Sequence, residues 1–395
     1  MPTDDGNILT INTGSSSLKA AVYSLADDDR PEVTFLLGRI GGATSQLRIR
    51  DFAGADLANS AEPIADYLAA LAHVLDWLES NGQLASIRAL GHRLVHGGPK
   101  HLAPQAIDAA LVADLKECVP LAPNHLPQAI DAIQGTQAAL VGRPQFACFD
   151  TGFHRTLPPR ARLLPLPRAL LDAGVVRYGF HGLSYEYIVE RLRVLDPAQA
   201  GGRAVIAHLG NGASMAAVDR GVGVDTSMGF TPTGGLVMGT RTGDLDPGAL
   251  VYLLQSRGFT AQTIARLVNH EAGMLGVSGS SADMRDLLSR SATETRAAEA
   301  VELFCYQARK FIGAYAAALA GLDTVVFTAG IGENSAPVRQ RICHGLDFLG
   351  LTLDAERNRQ DADVISTDES RVIVRVIKTD EDLMIARHTR RLLAI

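Results

Sequence analysis

Apolar and polar residues follow two different periods along this chain, which predict strands and helices in turn. Short β-branched or fully apolar runs bounded by turn residues are typical of strands. They lie at residues 7–13, 18–24, 32–39, 145–149, 204–208, 215–219, 324–328 and 372–378. Segments whose apolar residues recur every three or four positions predict helices. These lie at residues 63–80, 247–256, 260–269, 297–319 and 381–393. The alternation predicts an α/β fold with mixed sheets.

The two halves of the chain carry a weak internal repeat. Residues 14–22 align with residues 210–218 at an offset of 196, and each segment has small polar turn residues leading into a strand. A second similarity pairs residues 148–152 with residues 326–330, each a buried strand that runs into a glycine turn. Because the first offset is almost half of the chain, we expect a duplicated α/β domain with a cleft between the copies.

A boundary between the copies is predicted just after residue 150. Pro158, Pro159, Pro165 and Pro167 mark irregular chain there. The first lobe is then residues 1–150 together with a C-terminal helix at 383–395, and the second lobe is residues 151–382.

Composition excludes several classes of protein. The chain has 395 residues, 47% of them hydrophobic and 20% charged, which is ordinary globular composition. Its length exceeds the roughly 250–300 residues at which one core stops growing. The net charge of -6 argues against a nucleic-acid partner, which would require a basic surface.

Cysteine usage and the termini predict a location. Cys118, Cys148, Cys305 and Cys343 form no CxxC pair, so neither a zinc site nor a disulfide framework is indicated. The acidic N-terminus does not resemble a signal peptide. The most apolar helical stretch, residues 311–322, is too short to span a bilayer. We therefore expect a soluble cytoplasmic protein without membrane contact.

Three glycine-rich segments follow predicted strands. In the first, residues 12–19, a glycine and three serines offer donors to phosphate oxygens, Lys19 offers a charge, and Asn12 could hold a metal-bound water. The second, residues 208–214, lets the backbone approach a ligand closely. The third, residues 330–334, is predicted to be a turn before a helix from residue 335, which suits a nucleotide. Plain hairpin turns remain the alternative for the first two.

Charged residues in glycine- and proline-rich loops are the remaining candidates. They are Arg93 beside His92, His125, Asp150 near His154, His181, and Arg241. Each alone could be a turn or salt-bridge residue. No Walker motif and no complete GxGxxG is present, which argues against P-loop and Rossmann proteins.

These motifs together resemble the acetate kinase (acetokinase) family of the sugar kinase, heat-shock chaperone and actin superfamily. The resemblance covers nearly the whole chain in the family's order. It rests on residues 12–19, 92–98, 149–154, 177–182, 208–214, 228–232, 238–247 and 329–334. It implies a duplicated ribonuclease H-like (actin-like ATPase) fold whose first lobe carries the substrate and phosphate loop. The second lobe would carry the nucleotide and the dimer surface of a homodimer.

The resemblance also implies an activity: reversible transfer of the ATP γ-phosphoryl group to acetate, with Mg²⁺ or Mn²⁺, giving acetyl phosphate and ADP. The implied catalytic residues are Asp150, His181 and Arg241. The implied substrate residues are Arg93, Val95, His125, Phe180 and Pro232. The implied metal residues are Asn12 and Glu381. The implied ATP residues are Lys19, His208, Leu209, Gly210, Asn211, Gly212, Asp283, Met284, Arg285, Gly330, Ile331, Gly332, Glu333 and Asn334.

The sequence departs from the family pattern at three places. Thr13 replaces a usual Cys, and residues 124–127 read Asn-His-Leu-Pro instead of Leu-His-Asn-Pro. Residues 379–382 read Thr-Asp-Glu-Asp instead of Thr-Asn-Glu-Glu, which adds a carboxylate near Glu381.

Acetate chemistry limits what Asp150 can do. A carboxylic acid has a pKa of about 4, so acetate is ionised at neutral pH and has no proton for a base to remove. We therefore expect Asp150 to place Mg²⁺ or to orient Arg241 and the substrate. Propionate or butyrate kinase activity is the alternative in the same family. An ATP-driven binding protein of the same superfamily is a further alternative.

Overall fold

The computed structural model describes residues 6–14, 16–26, 29–197 and 202–394. They form two units. The first contains the described residues up to Gly152 and those from Asp380, and the second contains Phe153–Thr379. Residues 380–382, predicted to belong to the second lobe, fall in the first unit because Asp380 caps the C-terminal helix (Glu381–Leu393). Ser15 of the first glycine-rich segment lies outside the described residues.

The described part of the first unit forms an eight-stranded sheet with the order β5-β4-β3-β2-β1-β6-β8-β7. Its strands are β1 (Asn7–Thr13), β2 (Ser17–Ser24), β3 (Pro31–Gly38), β4 (Gln46–Asp51), β5 (Asp56–Ser60), β6 (Ile87–Leu94), β7 (Gln105–Ala106) and β8 (Gln145–Phe149). β1 pairs antiparallel with β2 and parallel with β6, and β6 pairs parallel with β8. The carboxyl ends of β1, β6 and β8 therefore lie at one edge of the sheet.

Helices cover this sheet. They are α1 (Tyr67–Ser80), α2 (Ala109–Glu117), α3 (Leu126–Ala139) and the C-terminal helix. α1 places Leu71, Val74 and Leu78 in a core with Leu9 and Ile11 of β1. The C-terminal helix packs directly on β6, because a side chain at Gly91 would lie 2.5 Å or less from Ile385 and Thr389. This close packing fixes Glu381 relative to the sheet.

The described part of the second unit forms a five-stranded sheet with the order β11-β10-β9-β12-β13. Its strands are β9 (Arg203–Leu209), β10 (Ala213–Asp219), β11 (Val222–Thr226), β12 (Thr324–Thr328) and β13 (Ile373–Val376). Its helices are α4 (Pro159–Arg162), α5 (Arg168–Asp172), α6 (Gly182–Leu195), α7 (Pro247–Ser256), α8 (Ala261–Arg266), α9 (Gly273–Ser278), α10 (Met284–Arg290), α11 (Thr295–Ala318), α12 (Ala329–Asn334), α13 (Ala336–Cys343) and α14 (Ala355–Arg359). α6 and β9 share a core through Tyr185, Ile188 and Ile206.

The two sheets repeat the same five-strand order. β3-β2-β1-β6-β8 corresponds to β11-β10-β9-β12-β13, with the same parallel and antiparallel pairings. β9 begins and ends 196 residues after β1, which agrees with the first sequence repeat. The second repeat is wrong as a structural equivalence, because it pairs β8 with β12, whereas the sheet order equates β12 with β6.

Most predicted elements are confirmed within a few residues, including strands 7–13, 145–149 and 324–328 and helices 247–256 and 381–393. The third glycine-rich segment was predicted to be a turn, and this is wrong: α12 occupies it. Among the described helices, none combines the length and apolar composition that a bilayer crossing requires.

Candidate functional site

Polar residues of the first unit collect where its parallel strands end. Asn12 lies near the end of β1 and Arg93 near the end of β6, while Asp150 follows β8. Lys19 on β2 is the cross-strand neighbour of Asn12. Since ligands of α/β proteins bind at the carboxyl ends of parallel strands, this edge is the expected place for substrate groups.

Arg93 is the centre of this cluster. Its Nε donates to Asp150 Oδ1 at 2.9 Å and its Nη2 donates to Oδ2 at 2.7 Å. Its Nη1 donates to Asn12 Oδ1 at 2.9 Å and lies 3.2 Å from Glu381 Oε2. Burial opposes the charge on Arg93, but Asp150 and Glu381 outweigh it and raise the pKa of the guanidinium. Arg93 therefore stays a cation and is fully engaged by protein oxygens.

Carboxylates surround the start of the C-terminal helix. The Asp380 side chain accepts from Leu383 N–H at 2.9 Å and caps the helix. Burial raises the pKa of Asp380, and it raises the pKa of Asp382 to about 6 in spite of the opposing charge of Lys19. Burial thus opposes the negative charge of these two carboxylates, and the nearby positive charge of Lys19 favours it.

The same cluster offers few side chains that could bind a metal ion. Among the described residues no group of three or more His, Cys, Asp or Glu side chains is arranged to hold a metal ion. Mg²⁺ in kinases commonly takes only one or two carboxylates and completes its shell with substrate phosphates and water. Asn12 Nδ2 donates to Glu381 Oε2 at 3.2 Å, so the two predicted metal residues are adjacent, and their oxygens are hard donors that suit Mg²⁺.

In the second unit, a tight loop before α6 presents His181. Gly179 has a φ of +73°, and a side chain there would lie 2.5 Å from the ring of His154. Burial lowers the pKa of His154 to about 4, and its Nε2 lies 3.0 Å from the Phe180 carbonyl, to which it donates. His181 itself has a φ of +58°, which is uncommon for a non-glycine residue and places its backbone at the helix start.

His181 and Arg241 approach one point, the position that a side chain on Gly212 would occupy. A Cβ there would lie 2.8 Å from Arg241 Nη2 and 3.5 Å from His181 Nε2. Arg241 Nη1 donates to the Pro232 carbonyl at 2.6 Å, which anchors the guanidinium. Burial lowers the pKa of Arg241 to about 10, so it remains charged at neutral pH. Two donors thus face one space kept open by a glycine.

A cavity of about 540 Å³ lies in the second unit. Its lining includes eight predicted ATP residues: Gly210, Asn211, Asp283, Met284, Arg285, Gly330, Ile331 and Asn334. Ala282 and Ser335 also line it and were not predicted, although both adjoin predicted segments. A cavity of this size suits a nucleoside.

Four further predicted ATP residues, His208, Leu209, Gly332 and Glu333, do not line this cavity. Leu209 is fully buried in the core, and His208 stacks on His181 with ring centroids 4.1 Å apart. Glu333 Oε1 accepts from Ala329 N–H at 2.7 Å and from Thr379 N–H at 3.0 Å. Glu333 therefore fixes the start of α12, and Gly332 is buried within that helix.

The predicted substrate residues are divided between the units. Val95 is buried just after β6, and His125 is half-buried immediately before α3. Phe180 and Pro232 belong to the second unit, where Phe180 is buried.

Three residues that were not among the predicted site residues support this site: Ser214, Tyr185 and Arg339. Ser214, quoted only as the end of the second glycine-rich segment, hydrogen-bonds to His181, and Tyr185 hydrogen-bonds to Ser214. The only signal available was that α6 follows His181 directly. Arg339 is also fully buried and donates to the carbonyls of Gly332 and Glu333, each at 2.9 Å.

Comparisons with known proteins agree with this arrangement. The acetokinase family model matches residues 7–387. An acetate kinase from Methylocella silvestris is 44% identical over 396 aligned positions, covering 98% of each chain. A crystal structure of Porphyromonas gingivalis acetate kinase superposes with a TM-score of 0.87 at 36% identity, covering 98% of this chain and all of that one. A propionate kinase from Francisella tularensis gives a TM-score of 0.91 at 35% identity over the same shares.

The predicted fold class, a duplicated actin-like ATPase fold, is confirmed by these superpositions. With a family match along almost its entire length and relatives above 40% identity, this chain belongs to the acetokinase family.

Proposed function

We propose that this protein is an acetate kinase, which transfers the γ-phosphoryl group of ATP to acetate and runs in both directions. The observation that carries the proposal is the full-length similarity to proteins named acetate kinase. In the reaction, an acetate oxygen attacks the γ-phosphorus in line while the bond from that phosphorus to the β,γ-bridging oxygen breaks. Acetyl phosphate and ADP result, and no proton has to be removed.

Arg93 is proposed to bind the acetate carboxylate. A guanidinium pairs well with a carboxylate through two parallel hydrogen bonds. Because its three nitrogens already contact Asp150, Asn12 and Glu381, acetate has to replace or share one of these contacts. Asp150 pairs with Nε and Nη2, whereas Nη1 contacts Asn12 and Glu381. We propose that acetate replaces or shares the contacts of Nη1.

Asp150 is proposed to orient Arg93 and not to act as a base. It is 1% exposed, and both of its carboxylate oxygens accept from Arg93. The expectation that Asp150 places Mg²⁺ or orients Arg241 and the substrate stays a prediction, and the Arg93 pairing adds a partner within the first unit. This pairing keeps the guanidinium plane fixed while acetate approaches.

Asn12 and Glu381 are proposed to hold Mg²⁺, with Mn²⁺ as an alternative ion of similar ligand preference. When bound, the ion neutralises charge on the phosphate oxygens and so favours attack by an anion. Lys19 lies across β1 and β2 from Asn12 and adds a positive charge for the same phosphates.

His181 and Arg241 are proposed to stabilise the phosphoryl group during transfer, when negative charge spreads over its equatorial oxygens. The support is their convergence on the space above Gly212, beside the cavity lined by Gly210 and Asn211. That cavity is proposed to hold the adenosine part of ATP. Preorganised donors of this kind supply much of the rate enhancement in such enzymes.

The direct test measures initial rates with acetate, propionate and butyrate at saturating Mg-ATP, with hydroxylamine trapping the acyl phosphate. We expect the highest kcat/KM with acetate, because Val95 is of medium size and would leave little room for longer chains. A higher kcat/KM with propionate would assign the activity of the Francisella tularensis relative instead. If no acyl phosphate forms with any of the acids, and ADP with acetyl phosphate gives no ATP, the proposal is wrong.

The proposal includes a homodimer in the cytoplasm. α7 is apolar but buries no residue within its own chain, and Leu245, Val251, Tyr252 and Leu254 are all exposed. We propose that a second copy covers this surface. Light scattering should give twice the mass of 41.9 kDa, and Val251→Lys should give one chain mass. Phe52→Lys, at an exposed apolar residue of the first unit, is the control and should stay dimeric.

A further inference from the structure

The loop after β6 carries Val95 and folds back onto β8. It comprises residues 95–104, between the last residue of β6 and the first residue of β7. Its start lies beside Asp150, whose N–H donates to the Leu94 carbonyl at 2.9 Å. Its end is fixed on the strand that precedes Asp150, because β7 pairs antiparallel with β8. The position of this loop therefore decides where Val95 lies relative to Asp150.

Two glycines let the loop pack closely on its neighbours. A Cβ on Gly97 would collide with the His101 carbonyl oxygen and would lie 2.9 Å from Phe149 Cδ1. Gly98 has a φ of +62°, and a Cβ there would lie 2.6 Å from Cys118 Sγ. Such close packing leaves little freedom for small displacements, so contacts made further along the loop also affect its first residues.

Asp114 of α2 binds two consecutive residues of the loop. Its Oδ1 accepts from Lys100 Nζ at 2.8 Å, and its Oδ2 lies 3.0 Å from His101 Nε2. The hydrogen bonds from Lys100 and His101 lower the pKa of Asp114, so its carboxylate is ionised at neutral pH. Since an ionised carboxylate only accepts hydrogen bonds, His101 Nε2 is the donor.

The two contacts of Asp114 differ in exposure. The side chain of Lys100 is 69% exposed, whereas that of His101 is 15% exposed. An exposed ion pair contributes little to stability, because water screens it. A largely buried hydrogen bond to a carboxylate is more costly to break, because its partners do not fully regain water. The His101 contact is therefore the one that holds the loop.

The His101 ring joins this carboxylate to the end of β8. Its Nδ1 lies 2.7 Å from Gln105 Nε2, at the start of β7. Its plane lies 18° from that of the Phe149 ring, with centroids 6.1 Å apart. Phe149 is buried and directly precedes Asp150. The backbone N–H of His101 donates to the Gly97 carbonyl at 3.2 Å, so the same residue also closes the first turn of the loop.

We propose that Asp114 and His101 are positioning residues that hold the loop after β6, so that Val95 limits the length of the acid at the acetate site. The inference rests on the proposed function, because that proposal places Val95 in the acetate pocket. Both residues act through the loop and not on the substrate itself. Release of the loop should let Val95 move and should admit a longer acid.

The ratio of kcat/KM for acetate to kcat/KM for propionate measures this role. Asp114→Ala should lower the ratio about tenfold, the low end of what one methylene group is worth in an apolar pocket. The KM for ATP should stay close to the wild-type value, because the ATP cavity belongs to the second unit. Asp114→Asn keeps an oxygen that accepts from His101 and should recover most of the ratio.

The matched control is Lys100→Ala. It removes the exposed partner of the same carboxylate and leaves the His101 contact in place. It should keep the wild-type ratio. If the ratio in Asp114→Ala equals that of the wild type, or if Lys100→Ala lowers it as much as Asp114→Ala does, the positioning role is wrong.

A double variant tests whether the two residues act as one unit. His101→Ala should also lower the ratio. Adding Asp114→Ala to it should lower the ratio no further, because residues of one hydrogen-bonded pair do not act independently. Effects that multiply in the double variant would contradict a shared role.

Hydrogen exchange followed by mass spectrometry separates this inference from the proposed function, because it requires no activity. Peptides that cover residues 95–104 should exchange faster in Asp114→Ala than in the wild type, while peptides of β9 should exchange at the same rate in both. Unchanged exchange at residues 95–104, or an equal increase in β9, would overturn the inference even in a protein that phosphorylates acetate. Faster exchange confined to the loop, in a protein that forms no acyl phosphate, would instead count against the proposed function.

Discussion

Arg93 and Asp150 form a bidentate ion pair, with Nε at 2.9 Å and Nη2 at 2.7 Å from the two carboxylate oxygens. The Arg93 side chain is only 13% exposed and that of Asp150 is 1% exposed. A buried pair of this kind holds its geometry well. Removing one partner leaves the other charge buried without a counter-ion, which is strongly destabilising.

Asp150→Asn should reduce both stability and activity. The amide cannot accept both guanidinium hydrogen bonds, so we expect a loss on the order of 3 kcal/mol in the free energy of unfolding. Denaturant unfolding and acetyl phosphate formation measure the two effects. The control is Asp368→Asn, which breaks the ion pair between Arg357 and a largely exposed aspartate. It should change neither the free energy of unfolding nor the rate of acetyl phosphate formation. A rate and metal dependence close to wild type in Asp150→Asn would contradict the orienting role.

Arg93→Ala should raise the KM for acetate far more than the KM for ATP. The variant removes the proposed partner of the substrate carboxylate, and it leaves the ATP cavity of the second unit untouched. Steady-state kinetics with each substrate varied in turn provide the measurement. Equal increases in both KM values would argue that Arg93 serves the folded structure and not acetate binding.

Arg241→Ala should lower kcat by about three orders of magnitude or more, as for other arginines that stabilise a phosphoryl group in transfer. Binding of ATP should weaken much less, which equilibrium titration with a fluorescent ATP analogue can measure. Arg241→Lys should also be slow, because lysine has no planar fork to bond the Pro232 carbonyl and the substrate at once. A Lys variant with wild-type kcat would show that charge alone is sufficient at this position.

Val95→Ala should shift preference from acetate toward propionate and butyrate. Each methylene group is worth about 1–3 kcal/mol of discrimination in an apolar pocket, so the kcat/KM ratio should change by tenfold or more. Val141→Ala, at an exposed residue, is the control. An unchanged ratio in Val95→Ala would remove Val95 from the acetate pocket.

Acid should destabilise the protein through its buried histidines. Burial lowers the pKa of His92 and of His154 to about 4, whereas an unfolded histidine titrates near about 6.5. The unfolded chain therefore binds more protons between these values, so this part of the stability is present above pH 6.5 and is lost as the pH falls toward 4. We expect the Tm of the wild type to fall as the pH is lowered over this range. The Tm of His154→Gln should fall less steeply. His270→Gln, at an exposed residue, should follow the wild-type slope, and an equal slope in His154→Gln would contradict the prediction.

Sequence patterns predicted those parts of the fold that depend on local periodicity. Strand β1 and the C-terminal helix have the predicted bounds, because each combines a clear apolar pattern with turn or capping residues. The segment at residues 330–334 was predicted to be a turn because glycine disfavours helices. It is helical, with the Glu333 carboxylate accepting from the Ala329 N–H at its start and Arg339 donating to its carbonyls. Glu333 also accepts from the Thr379 N–H and Arg339 donates to Asn358, and these two contacts are tertiary.

The false second repeat has a similar cause. A buried strand that ends in a glycine turn is common to parallel strands, so the pattern cannot distinguish β6 from β8 as the counterpart of β12. The contacts of Ser214 were also beyond sequence reasoning, because they depend on how α6 packs against β10. The residues that resemble family motifs could be predicted from the sequence. The residues that hydrogen-bond to them, such as Ser214 and Arg339, could not.

Gly212 shows how strongly an empty position can limit evolutionary change. A single added carbon would stand within 2.8 Å of Arg241 and 3.5 Å of His181, in the space that we assign to a phosphate oxygen. Alanine, usually the mildest replacement for glycine, would thus compete with the substrate for the same volume. Descendants of this gene can vary the surrounding hairpin widely, but we expect mutation at this one codon to be purged wherever the enzyme is needed for growth.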